Sequence, residues 1–178
     1  MSMDAPLSAT ESLRETVPAY AKDLALNLSS VLADGGALDE KTRWGVALAC
    51  AIAAGQPRLR DAVEADAARL AGDAIVDDAR AAASLMAMNN VYYRFRHFAG
   101  KESYSQKPAR LRMTRIARPA SDKPTFELMC LAVSAINGCE SCVRSHEAAV
   151  VAAGLTEDAV HDAVRIAATL RGVAVAIS

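Results

Sequence analysis

Aromatic side chains are scarce in this chain, with one Trp, three Phe and four Tyr among 178 residues. Alanine takes much of the apolar share. It is the strongest helix former and small enough to let helices approach closely, so the composition favours packed helices over sheet. Sustained alternation of apolar and polar residues is lacking as well, which removes the usual signature of half-buried strands. The expected fold class is all-α. Charge of one sign is also missing. Twenty Lys+Arg against 21 Asp+Glu leave a net charge of -1, which gives no electrostatic footprint for nucleic acid. No uncharged apolar run reaches 18 residues, so no membrane span is expected. Residues 1–6 lack the basic and apolar regions of a secretory signal, and a cytoplasmic location is the expectation. No GxGxxG or P-loop stretch occurs, which argues against direct use of a nicotinamide cofactor. Four cysteines are too few for a disulfide scaffold, so a CxxC in a reducing compartment reads as catalytic or metal-binding.

What is present is a chain with 52% hydrophobic residues, enough to bury one core, and the expectation is a single domain over 1–178. After a loose start, helices are predicted over residues 18–32, 39–54 with Asp39 as cap, 57–72 with Pro57 in the first turn, and 75–98. Residues 100–108 read as loop, 109–117 as a short helix, and 124–136 as a helix opened by Pro124. Asn137-Gly138 makes a turn into a helix over 139–153, and Thr156 caps a last helix to about residue 176. A weak internal echo relates residues 51–55 (Ala-Ile-Ala-Ala-Gly) to 134–138 (Ser-Ala-Ile-Asn-Gly), and 75–79 to 155–159, at an offset of roughly 80 residues. Two related helical halves are therefore expected, 1–100 without active-site cysteines and 109–178 with them. Gln56 and Leu59 stand in the first half where Cys139 and Cys142 stand in the second.

The chemistry concentrates in Gly138-Cys139-Glu140-Ser141-Cys142-Val143-Arg144-Ser145-His146. On a helix, Cys139, Cys142 and His146 form one stripe, each about a turn from the next. The thiols are then close enough to pair, and His146 is placed to take the proton of Cys142. A helix N-terminus carries unsatisfied N–H groups and partial positive charge, which favour a thiolate. The helix start favours Cys139 as the more acidic thiol and the imidazole favours Cys142, which leaves that choice open. Glu127 lies 11 residues before Gly138 and His146 lies 8 after it. If the two helices fold back on each other, the carboxylate reaches the imidazole and fixes its tautomer. Other groups carry less. Cys50 and Cys130 sit in apolar helical runs and read as inert core thiols. Met86 and Met88 read as packing, Trp44 and Tyr92-Tyr93 as packing or subunit contact, and His97 and His161 as solvated.

Several stretches resemble the alkylhydroperoxidase D family within the carboxymuconolactone decarboxylase-like superfamily. They are Pro18-Ala19-Tyr20-Ala21-Lys22-Asp23 with Leu26-Asn27-Leu28-Ser29-Ser30, Met88-Asn89-Asn90-Val91-Tyr92-Tyr93-Arg94, and Phe126-Glu127-Leu128. Ala132-Val133-Ser134-Ala135-Ile136-Asn137-Gly138-Cys139 follows, with Cys142 and His146. The resemblance implies an antioxidant enzyme that reduces alkyl hydroperoxides, works as a homo-oligomer (a trimer), and holds no bound cofactor. It further implies that the enzyme regenerates a partner peroxiredoxin, alkyl hydroperoxide reductase C, with electrons from a dihydrolipoyl group on an acyltransferase component. Carried over, Cys142 becomes the sulfenic acid, Cys139 donates a proton and closes the Cys139–Cys142 disulfide, and Glu127 and His146 form the proton relay. Where some family members have histidine before the second cysteine, this chain has Ser141, and an inward-pointing Glu140 would oppose thiolate formation.

Two rival readings accompany this one. The first is a protein disulfide oxidoreductase with marginal peroxidase activity. The second is a non-catalytic helical assembly module with a corner held by metal on the cysteines, His146 and Glu127. Three ligands on one helical stripe cannot readily surround a tetrahedral ion.

Overall fold

The computed structural model describes residues 7–178, and the sequence reading of residues 1–6 lies outside them. The helices are α1 (Ala9–Arg14), α2 (Lys22–Leu32), α3 (Glu40–Ala54), α4 (Pro57–Leu70), α5 (Asp73–Ala99), α6 (Glu102–Ser105), α7 (Thr114–Ala117), α8 (Lys123–Ile136), α9 (Glu140–Ala152) and α10 (Glu157–Ala176). No strand forms among the described residues, so the chain is all-α.

The helix ends follow local chemistry. Asp39 accepts from the Thr42 N–H at 2.7 Å, Asp122 from Thr125 at 2.9 Å, and Thr156 from Ala159 at 3.2 Å, each satisfying an otherwise orphaned first-turn donor. Pro57 and Pro124 stand in the first turns of α4 and α8, where the missing N–H costs nothing.

Two helices form the centre. Residues 43–51 of α3 and 125–134 of α8 are buried without interruption, as expected of helices that are apolar all round. At Gly45 of α3 an added Cβ would lie 2.3 Å from Met129 Cε and 2.9 Å from Ile75 Cγ2, so a side chain there fits only if these two shift. Around this pair the contacts are reciprocal. Helix α3 packs on α4, α5 and α10, while α8 packs on α9, α10 and α5. Helix α1 leans on α4, and α2 on α10.

Four segments differ from the sequence reading. The loose start contains α1, because Ser8 and Glu11 make a reciprocal capping box and the buried Asp66 carboxylate accepts from the Ala9 and Thr10 N–H groups. The helix expected from residue 18 begins as a 3-10 turn, Ala19–Ala21, and becomes α-helical only at Lys22. The expected loop after Gly100 holds α6. The helix expected over 109–117 forms only as α7. Arg110 has φ +53°, a left-handed conformation that interrupts any helix begun before it.

The segment that carries α7 is tied to α5 by a buried carboxylate. Asp78 accepts from Arg115 Nε at 3.0 Å, the Ala120 N–H at 2.9 Å, and the Ser121 N–H and hydroxyl at 2.7 and 2.6 Å. Burial alone would push its carboxyl up, but these donors outweigh burial and hold it below the ordinary range.

Candidate active site

The turn between α8 and α9 does two jobs at once. Gly138 adopts φ +65°, its N–H bonds to the Ala135 carbonyl at 3.2 Å, and the Cys139 N–H bonds to the Ser134 carbonyl at 3.1 Å. This paired pattern closes a helix C-terminus and needs a residue without Cβ strain at the left-handed position. Cys139 is at the same time the N-cap of α9, in extended conformation. The sequence alone predicts Cys139 inside the helix. It instead stands just before it, and the extended backbone turns its side chain onto the first turn, where Cys142 sits. The two are joined as a disulfide with Cα atoms 5.4 Å apart. No side chain caps α9, so its first-turn N–H groups remain near the sulfurs.

The acid–imidazole pair forms across the same hairpin. His146 Nδ1 and Glu127 Oε2 lie 2.6 Å apart. Lys123, one turn before Glu127, donates to the other carboxylate oxygen at 2.8 Å. Burial would raise the Glu127 carboxyl, yet the hydrogen bonds from His146 and Lys123 outweigh it and hold the group below its ordinary value. The second ring nitrogen, Nε2, lies 3.2 Å from the thioether of Met86.

Cys142, His146 and Glu127 line one cavity of about 470 Å³ together with Tyr93, Met113 and Ile116. Cys139 is absent from its wall and is 1% exposed, against 7% for Cys142. Of the two sulfurs, Cys142 is therefore the one that faces the cavity. Cys50 and Cys130 are fully buried, and burial pushes both thiols up, as inert core residues require. Glu140 points outward, paired with Arg144 at 2.9 Å and 3.7 Å from His97, so its charge does not face the sulfurs. Ser141 Oγ lies 3.7 Å from Cys139 Sγ. Among the described residues no group of three or more His, Cys, Asp or Glu side chains is arranged to hold a metal ion.

Sequence reasoning missed the roles of Lys123, Met86, Asn90 and Arg94. Lys123 was available from its spacing four residues before Glu127. Met86 reads as packing from the sequence and does lie in the core, but its sulfur also meets the imidazole. Behind the turn, Asn90 donates to Ser134 Oγ at 3.0 Å and accepts from the Asn137 amide at 2.9 Å, while Arg94 donates to the Asn137 carbonyl. This network holds the residue before Gly138, and so the position of the disulfide.

Comparison with known proteins places these features in a family. A model of the carboxymuconolactone decarboxylase family matches residues 103–178. Over 171 residues the chain is 57% identical to a protein of Anaeromyxobacter dehalogenans (strain 2CP-C) named alkyl hydroperoxide reductase AhpD, covering 96% of this chain and 91% of that one. Proteins of the same name from Solibacter usitatus (strain Ellin6076) and Bradyrhizobium sp. (strain BTAi1 / ATCC BAA-1182) are 51% and 49% identical over 164 and 167 residues. These alignments cover 92% and 94% of this chain, and 92% of each relative. At that identity, over nearly the whole of each chain, this protein belongs to the alkyl hydroperoxide reductase AhpD family.

Proposed function

We propose that the chain is an antioxidant thiol peroxidase that reduces alkyl hydroperoxides through a Cys139–Cys142 dithiol–disulfide cycle. One observation carries the reading. A disulfide at the start of α9 stands beside the hydrogen-bonded pair of buried Glu127 and half-buried His146, and Cys142 lines a cavity with both of them.

The cycle starts from the reduced dithiol. His146, oriented by Glu127, takes the proton of Cys142. The thiolate attacks the terminal oxygen of R–O–O–H, an S–O bond forms, and the O–O bond breaks with its electron pair on the alkoxide. That alkoxide takes a proton from the Cys139 thiol and leaves as the alcohol. The Cys139 sulfur then attacks the Cys142 sulfenic acid, an S–S bond forms, and hydroxide leaves as water with the proton held by His146. Two thiols and one hydroperoxide yield one disulfide, one alcohol and one water. A dithiol donor restores the thiols by exchange. No bound cofactor is needed for these steps.

By likeness to the family, the donor is a dihydrolipoyl group on an acyltransferase component, and a partner peroxiredoxin, alkyl hydroperoxide reductase C, is regenerated by the same dithiol. The chain works as a homo-oligomer, a trimer in this reading, and in the cytoplasm. The exposed apolar stripe Val91, Phe95 and Phe98 along α5 supports a subunit contact. No described helix is long and apolar enough to cross a membrane.

Turnover of cumene hydroperoxide with a lipoyl-type dithiol tests the reading. Wild type is expected to turn over, and Cys142→Ser to lose both turnover and the internal disulfide. Full activity in that variant contradicts the scheme. Turnover of an oxidised peroxiredoxin without turnover of any organic hydroperoxide favours a protein disulfide oxidoreductase instead.

A further inference from the structure

Lys123 is the first residue of α8, where its charge meets the positive end of the helix dipole and an acidic side chain would be favoured instead. Its ammonium is used twice. It donates to Glu127 Oε1 at 2.8 Å and to the Ile116 carbonyl at 3.1 Å. Glu127 meets the His146 imidazole through its other oxygen at 2.6 Å, and Ile116 walls the cavity that Cys142 faces. One side chain thus joins the wall of the cavity to the acid–imidazole pair within it. The other titratable groups around the carboxylate do not substitute for it. Burial keeps the Cys130 thiol of α8 in its neutral form. Asp78 of α5 is negative and occupied by Arg115 and by the chain at Ala120 and Ser121. His146 of α9 belongs to the relay itself. Among the described residues, Lys123 is the only permanent cation in contact with Glu127.

We propose that Lys123 is a positioning residue for the peroxide half of the cycle, acting through Glu127 and through the Ile116 carbonyl. Holding Oε1 leaves Oε2 aimed at His146, and the charge sets how far into acid the relay keeps working. The bond to Ile116 holds the cavity wall against the same carboxylate. The inference rests on the peroxidase reading given above. Its sign follows from charge. A cation beside Glu127 makes a proton bind less tightly, and the Lys123 bond is one of the causes that hold this carboxyl low. Without Lys123 the Glu127–His146 pair, which titrates as a unit, keeps its proton to higher pH. A relay that must take the proton of Cys142 then shuts off earlier as pH falls. Loss of the tie to Ile116 acts separately, on binding of the hydroperoxide.

The test is the pH dependence of disulfide formation when the reduced chain is mixed rapidly with cumene hydroperoxide, from about pH 5 to about pH 9. Lys123→Met is expected to move the acid limb of the rate to higher pH. The loss should be about tenfold on that limb and about twofold on the plateau. KM for the hydroperoxide should rise about threefold, the loss of one hydrogen bond to the wall. Lys123→Arg keeps the charge and should return the limb to its wild-type position. Lys123→Gln keeps a donor without the charge, so its limb should follow that of Lys123→Met, and it decides the matter should the first variant not fold. A structural role alone lowers the rate by one factor at every pH and leaves the limb in place, which overturns the assignment. A limb that arginine does not restore overturns it as well. A wild-type chain that forms no disulfide with the hydroperoxide overturns the peroxidase reading and this inference with it. A wild type that does so, beside charge-removing variants whose limb has not moved, overturns only the role of Lys123.

Discussion

The Glu127 carboxylate and the His146 imidazole meet at 2.6 Å between α8 and α9, although 19 residues separate them in the chain. Lys123 neutralises the other carboxylate oxygen, and Met86 borders the far ring nitrogen. The imidazole is thereby fixed from both sides, with only 12% of its side chain exposed. Replacing Glu127 with Gln keeps the shape and removes the charge. The rate of disulfide formation with an organic hydroperoxide should fall roughly 100-fold, and its pH profile should shift, whereas a purely structural role for Glu127 would leave that profile in place.

Three buried carboxylates make stability acid-sensitive. For Glu127, Asp66 and Asp78, burial would raise the pKa, yet hydrogen bonds outweigh it and lower each one. The folded chain therefore refuses protons that the unfolded chain accepts as pH falls. Their contribution is complete above the ordinary values of 4.5 for Glu127 and 3.8 for the aspartates, and is lost as pH drops through the lower folded values. Urea midpoints should be level near neutral pH and decline once pH drops below about 4. A midpoint that rises on acidification contradicts this.

Asp78 ties the chain around α7 to α5, and Ile116 of α7 walls the cavity. Asp78→Ala leaves the Ala120 and Ser121 donors without their acceptor and should cost about 2 kcal/mol in denaturant unfolding. It should also raise KM for the hydroperoxide, because the wall loses its anchor. Unchanged stability would show that water replaces the carboxylate without loss.

Gly45 separates two opposing effects. Alanine gains about 1 kcal/mol of helix propensity, but its Cβ would meet Met129 Cε at 2.3 Å and Ile75 Cγ2 at 2.9 Å. Overpacking of this kind costs about 1–3 kcal/mol. Gly45→Ala is expected to lower Tm, and a raised Tm would show that the α3–α8 contact yields more easily than the geometry implies.

Legibility followed the locality of the signal. Helices α3 and α8 could be read at both ends from Asp39 and Gly55, and Pro124 and Asn137, while Gly154 and Thr156 marked the end of α9 and the start of α10, because caps are chosen by residues within one turn. The Glu127–His146 meeting was legible by counting outward from Gly138. The local signal for helix α1 lies in the Ser8 and Glu11 capping pair. Residues 100–121 were not legible. Their path depends on tertiary anchors, with Asp78 holding 115–121, Asn89 holding Met113, and Arg110 in a left-handed conformation that its side chain does not announce. The thioether contacts of Met86 and Met113 were hidden for a related reason, since a methionine at a core position reads the same whether or not its sulfur accepts a hydrogen bond.

The most direct test is the mass of the fully reduced protein after one equivalent of cumene hydroperoxide. Loss of two hydrogens, mapped to a peptide containing both Cys139 and Cys142 with Cys50 and Cys130 still free, is the predicted result. An unchanged mass, or stable oxygen addition at Cys142 without the internal disulfide, would contradict the proposed cycle.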